Sequence, residues 1–121
     1  MSYANHLQLA RKLAQNGMDG SSAGAVLVKG DEVIAKSHDC RRQQNNPIAS
    51  AEMECIRLAG RRTDQSELTL ISTEYPDLLT AGTVLQFSIG ALVIGRAESS
   101  SPAIDLLKAK GVPITFYPDN E

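Results

Sequence analysis

The amino-acid sequence predicts an α/β protein, a three-layer α/β/α sandwich on a five-stranded mixed sheet. Three observations carry that reading. Short runs rich in Val, Ile and Leu alternate along the chain with stretches of helical period. Two of the runs are separated only by Lys29-Gly30-Asp31, the signature of a hairpin. Helix boundaries are marked by Asp77, Pro102 and Gly111.

Taken in order, Tyr3, Leu7, Ala10 and Ala14, with Leu9 and Leu13 beside them, recur at spacings of three and four, and Gly17 is a stop signal. Residues 24–28 (GAVLV) and 32–36 (EVIAK) form the hairpin. Residues 37–46 (SHDCRRQQNN) are polar and without period, hence a loop. Pro47 suits a first helical turn, where its missing N–H would be unpaired anyway. A helix is therefore expected over 47–60, with Ile48, Ala51, Cys55 and Leu58 on or near one face. After a polar spacer, residues 68–73 (LTLIST) read as a strand, Asp77 as the N-cap of a helix over 78–87, and 91–95 (ALVIG) as a buried strand. Residues 102–110 form a fourth helix closed by Gly111, and 112–117 a last strand. Strands joined through helices imply parallel pairing with right-handed crossovers, whereas the hairpin is antiparallel. There is no internal repeat or linker.

The 121 residues fit one domain, 1–121, large enough to hide roughly two-thirds of its unfolded surface. Twelve Lys and Arg against fourteen Asp and Glu give a net charge of −2, so no overall field draws in a phosphate backbone or anionic lipid. Three Tyr, two Phe and no Trp leave little to stack on bases. No nucleic-acid partner is expected. Cys40 and Cys55 are too few for a disulfide scaffold and too far apart for a CxxC motif, which points to a reduced, cytoplasmic protein. Residues 1–15 lack the apolar core of a signal peptide and no run approaches the ~18 apolar residues of a membrane span, so no membrane association is expected.

The element order, the phrase NPIASAEMECIRLAGR over 46–61 and the phrase TEYPDLLTAGTVLQFSIGALVIG over 73–95 together resemble the zinc-dependent cytidine and cytosine deaminase superfamily. The resemblance covers nearly the whole chain and is nearest to the small cytosine deaminase type. It implies the cytidine deaminase-like form of the fold. In that superfamily one helix begins His-x-Glu and the next Pro-Cys-x-x-Cys; the His and both Cys hold a zinc ion that activates water, and the Glu shuttles protons. With Ala81-Gly82 and the following strand setting the register, the zinc His falls on Ser50 and the two Cys on Asp77 and Thr80. Glu52 keeps the proton-shuttling position and Pro76 that of the motif proline. His38-Asp39 stands where the small cytosine deaminases carry a His-Asn pair that touches the base.

Neutral hydroxyls are poor zinc ligands and one carboxylate does not make a site, so neither a resident metal nor another cofactor is expected. Bound zinc lowers the pKa of its water from ~16 toward about 7. A general base alone contributes ~10²–10⁴-fold, short of the ~10⁶-fold or more of typical enzymes. Zinc-type deamination is therefore not expected of Glu52 alone. The cavity is expected to persist where two helix N-termini converge, with Glu52 and Asp77 supplying negative charge and the hydroxyls of Ser50 and Thr80 bonded to backbone groups. A small polar ligand would fill it.

Plainer roles stand beside these. Asp77 is a good N-cap, Ser50 and Thr80 are ordinary first-turn residues, and Glu52 is a helix former favoured by the dipole. His38 reads as a loop histidine, Asp39 as a turn residue, and Arg41-Arg42 as a solvated pair. His6 carries no role. Three functions follow. The first is a catalytically inactive, zinc-free domain that binds a nucleobase or nucleoside or has a regulatory role. The second is a hydrolytic deaminase with a metal held by Asp77 and Glu52, with or without His38, in an altered arrangement. The third is an oligomeric structural domain; the resemblance implies at least a homodimer, with helices near the active-site positions in the interface.

Overall fold

A computed structural model of the chain describes residues 3–16 and 23–118. Its elements are α1 (Ala4–Ala14), β1 (Gly24–Lys29), β2 (Glu32–His38), α2 (Ala51–Ala59), β3 (Leu68–Ser72), α3 (Leu78–Gln86), β4 (Ala91–Ile94), α4 (Pro102–Ala109) and β5 (Ile114–Phe116). A 3₁₀ turn, Gln65–Glu67, leads into β3. The strands form one mixed sheet in the order β2-β1-β3-β4-β5. β1 is antiparallel to both neighbours, while β3, β4 and β5 run parallel. The expected α/β/α sandwich on a five-stranded mixed sheet is the observed one. Gly17, read as the stop of α1, lies outside the described residues.

The alternation of side chains along each strand divides the core in two. Ala25, Leu27, Leu68, Leu70, Leu92 and Ile94 face α2, α3 and α4, where they pack with Ala51, Cys55, Ala81, Val84, Ile104 and Leu107. Val26, Val28, Ile71 and Val93 face the other way, against Leu7 and Ala10 of α1. That contact is close: a Cβ added at Gly24 would stand 1.8 Å from the carbonyl oxygen of Ala10, so only glycine lets α1 and β1 meet there. Among the described residues no helix is long and apolar enough to cross a membrane.

Boundaries differ from expectation by two residues or more at β2, α2 and β5: β2 runs on to His38, so Ser37 and His38, expected in the loop, belong to the strand. Helix α2 begins at Ala51 and not at Pro47. The Asn46 side chain accepts the Ile48 N–H at 3.1 Å, the Ala49 N–H returns to the Asn46 carbonyl at 3.2 Å, and Pro47 sits in this turn. Ser50, extended at φ −65° and ψ 167°, is the true N-cap and its Oγ accepts the Met53 N–H at 3.2 Å. Ile48 and Leu58 are each 53% exposed, so the buried face of α2 holds Ala51 and Cys55 without them. Strand β5 is trimmed to three residues because the Val112 N–H closes the end of α4 on the Leu107 carbonyl, 3.0 Å away.

Candidate functional site

The loop after β2, the first turn of α2 and the connection from β3 to α3 surround a polar cavity of about 290 Å³. Its described walls are Ala23, Asp39, Arg41, Ser50, Glu52, Glu74, Tyr75, Asp77 and Thr80. Of the residues singled out from sequence, Asp39, Ser50, Glu52, Asp77 and Thr80 thus come together. His38 does not line the cavity: its Nδ1 lies 3.0 Å from the Asp39 carbonyl oxygen, and the Cys40 Sγ is 3.9 Å from the same nitrogen.

Glu52 is the second residue of α2 and is 5% exposed. The Ser72 hydroxyl donates to Glu52 Oε2 at 2.6 Å and itself accepts the Glu74 N–H at 3.2 Å. Burial pushes the Glu52 carboxyl above its ordinary value, and donation from Ser72 opposes that shift without overcoming it. Glu52 thus stands under two opposed influences, burial favouring its neutral form and the Ser72 hydroxyl favouring its carboxylate.

Ser50 and Asp77 cap α2 and α3. Asp77 Oδ1 accepts the Thr80 N–H at 2.8 Å, so the carboxylate meets the helix terminus as expected. The Ser50 hydroxyl accepts a backbone N–H, also as expected. Thr80 departs from expectation. Among the described residues its hydroxyl has no hydrogen-bond partner, backbone or side chain: Thr80 is 1% exposed and Oγ1 is buried. Thr80 is also one of the residues lining the cavity. Neither Tyr75 nor Leu79 closes the cavity. The Tyr75 hydroxyl donates to the Ala97 carbonyl at 2.7 Å, and Leu79 is 44% exposed.

Besides Glu74, which lines the cavity paired with Arg96 at 2.7 Å, two contributors escaped the sequence reading. Ser72 occupies the same face of β3 as Leu68 and Leu70, and its period-two position was the available signal. Arg41 is the other. Its backbone N–H and its Nε donate to Asp39 Oδ1, both at 3.0 Å, and Nη2 bonds Oδ2. The guanidinium holds the Asp39 carboxyl below its usual range. Asp39 is therefore paired with Arg41, and both members of this ion pair line the cavity wall. An acid two residues before an arginine in a tight loop was the only trace of this in the sequence.

Among the described residues no three His, Cys, Asp or Glu side chains gather as a metal-holding group. The donors at the three positions aligned with zinc ligands are a capping hydroxyl, a capping carboxylate and the free hydroxyl of Thr80. Zinc sites use sulfur, imidazole or carboxylate donors, and this set does not fit one.

The model of the cytidine and deoxycytidylate deaminase zinc-binding region matches residues 1–96. The chain belongs to that family. It is 27% identical over 106 residues to a tRNA-specific adenosine deaminase of Streptococcus pyogenes serotype M1, a match that takes in 84% of this chain and 62% of that protein's length. Among solved structures, one from studies of A-to-I editing by tRNA:A34 deaminases aligns with TM-score 0.76 at 23% identity, covering 95% of this chain and 91% of the other. The apo dCMP deaminase of cyanophage S-TIM5 aligns with TM-score 0.77 at 16% identity, over 93% and 94% of the two chains. The guanine deaminase of Bacillus subtilis aligns at 0.69 and 22%, over 93% and 72%. At these identities the structures establish the shared fold.

Proposed function

We propose that this chain is a zinc-free deaminase-fold domain that binds a nucleobase- or nucleoside-sized ligand and does not hydrolyse it by zinc chemistry. The observation that carries the reading is the unpartnered, buried Thr80 hydroxyl on the wall of a polar cavity it shares with Glu52. A buried polar atom without a partner is costly, and a ligand that bonds it removes that cost. The remaining groups supply both kinds of hydrogen bond. The Glu52 carboxyl and Asp77 accept, and Arg41 donates. A planar heterocycle carrying adjacent N–H and C=O groups satisfies such a wall. The names of the relatives, deaminases of nucleobases, nucleotides and tRNA, agree with that ligand class.

The donor chemistry supports a site without resident zinc or another cofactor. Without a metal-activated water, Glu52 has no hydroxide to direct. The deaminase alternative, with a metal held by Asp77 and Glu52 with or without His38, finds less support: His38 does not line the cavity, and no three His, Cys, Asp or Glu side chains gather among the described residues. Self-association belongs to the same reading. Ile48, Leu78 and Leu79 are large apolar side chains 44–59% exposed at or just before the starts of α2 and α3, a surface suited to a second copy near the cavity. The cytoplasm is the compartment in keeping with two free cysteines.

The test is one preparation measured three ways: zinc per chain after expression with zinc and without chelators, ammonia release from cytosine, cytidine, guanine and adenosine, and thermal shift with each compound. Background zinc, no ammonia and a saturable shift with at least one compound are expected. Near-stoichiometric zinc with turnover overturns the reading. Light scattering reads the self-association, with a dimer expected for the unaltered chain and a monomer for Leu78→Glu.

A further inference from the structure

We propose that a second cavity, between the C-terminal ends of α2 and α3, binds a single-chain amphipathic anion whose tail lies on Leu27, Met53, Ile56 and Phe87 and whose acid group meets Arg61. The cavity measures about 570 Å³, within the ~300–1,000 Å³ usual for small-molecule sites. It is separate from the polar site in that the two share no described lining residue.

Its floor and walls are apolar. Leu27 and Leu68 close the bottom, and Met53, Ile56, Ile89 and Phe87 form the sides. Phe87 is 48% exposed, so apolar surface that the fold does not cover faces this space. The flexible thioether of Met53 adapts to an alkyl chain without requiring one shape.

The mouth is basic. Arg57, Arg61 and Arg62 line it, and Arg61 and Arg62 also line an adjoining cleft with Lys29. Three of these four cations are already engaged: Arg57 with Glu54 at 2.9 Å, Arg62 with Asp64 at 2.8 Å, and Lys29 with Asp64 at 3.1 Å. Arg61 is exposed and has no hydrogen bond or ion pair among the described residues. The carboxylates bonded to this rim are Glu54, Asp64 and, through Lys29 at 3.7 Å, Glu67, which leaves one positive charge uncompensated. An apolar cavity with a free guanidinium at its lip fits a tail with a carboxylate or phosphate head and disfavours the same tail carrying an ammonium.

Decanoate below its micellar concentration, titrated into the whole chain by calorimetry, tests the assignment, with decyltrimethylammonium bromide as the charge-reversed probe. Expected are saturable binding of one decanoate per chain, at least tenfold weaker binding of the ammonium probe, at least tenfold loss of decanoate affinity in Arg61→Glu, and near-complete retention in Arg61→Lys. Arg61 is exposed, so both variants fold, and a circular dichroism melt verifies it. Absence of saturable binding, equal affinity for both probes, or an unchanged affinity in Arg61→Glu overturns the proposal. So does a dimer in the wild type that Phe87→Glu converts to monomer, since the occupant would then be a second copy. None of these outcomes bears on the polar cavity, whose ligands bind or fail to bind independently of Arg61.

Discussion

A hydroxyl buried without a partner raises the free energy of the folded chain, and Thr80 carries one. Thr80→Val keeps the shape and removes the polar atom. It is expected to raise stability by about 1 kcal/mol, roughly 3–6 °C in Tm for a domain of this size, while removing the thermal shift from any ligand that bonds the hydroxyl. A variant less stable than the wild type would show that Oγ1 already has a partner in solution. Glu52 gives a pH signature of definite sign. Its folded pKa lies above its ordinary value, so as pH rises the unfolded chain loses this proton first and the native state holds it longer. Stability from this group is complete below the ordinary value of about 4.3 and falls as pH rises toward the raised folded value. Glu52→Gln cannot ionise. The stability of Glu52→Gln minus that of wild type, by urea unfolding from pH 4 to 8, is therefore expected to climb with pH and then level off. A difference independent of pH would mean that the carboxyl is not perturbed.

Among the elements, α2 and α3 show what a local signal can and cannot reveal. Asp77 was legible as an N-cap because capping needs only one side chain and the N–H three residues on. Ser50 performs the same task in α2, but Pro47 gave the more conspicuous helix-start signal three residues earlier. The turn built on the Asn46 side chain decided between them, and that geometry depends on the Cys40 N–H reaching the Ala49 carbonyl at 2.9 Å, a tertiary contact invisible in a linear pattern. Replacing the cap in Asp77→Ala or Ser101→Ala should cost about 1 kcal/mol each. Ser101 caps α4 away from the cavity, accepting the Ile104 N–H at 3.1 Å, so only Asp77→Ala should also alter ligand binding. Equal ligand shifts in the two variants would show that Asp77 is a cap and nothing more.

At the scale of the molecule, the order of strands and helices was readable because each strand is a short apolar run bounded by polar turns. Which faces they bury was not readable from continuous apolar runs such as 24–28; the pleat sends Leu27 and Val28 to opposite sides of the sheet. The cavity walls were legible as to Glu52, Asp77, Thr80, Ser50 and Asp39 through the resemblance, whereas Ser72 enters only through the packing of β3 against α2, and Arg41 through its pairing with Asp39 in the loop. The closest of these packings is testable. Gly24→Ala would force a methyl onto the Ala10 carbonyl, backbone against backbone, and should destabilise by about 3 kcal/mol or more. A change below about 1 kcal/mol would mean that α1 yields easily.

The two faces of the sheet are covered unequally, three helices on one and α1 alone on the other. Lifting α1 off uncovers Val26, Val28, Ile71 and Val93 without disturbing α2, α3 or α4. Such a chain exchanges its amide hydrogens in two tiers. The amides of α1 exchange through a partial opening in mild denaturant, while those of β1, β3 and β4 wait for global unfolding. The species released by that opening presents a bare β-branched strip at micromolar concentrations, and prolonged incubation close to the exchange threshold of α1 is where this protein should first form aggregates.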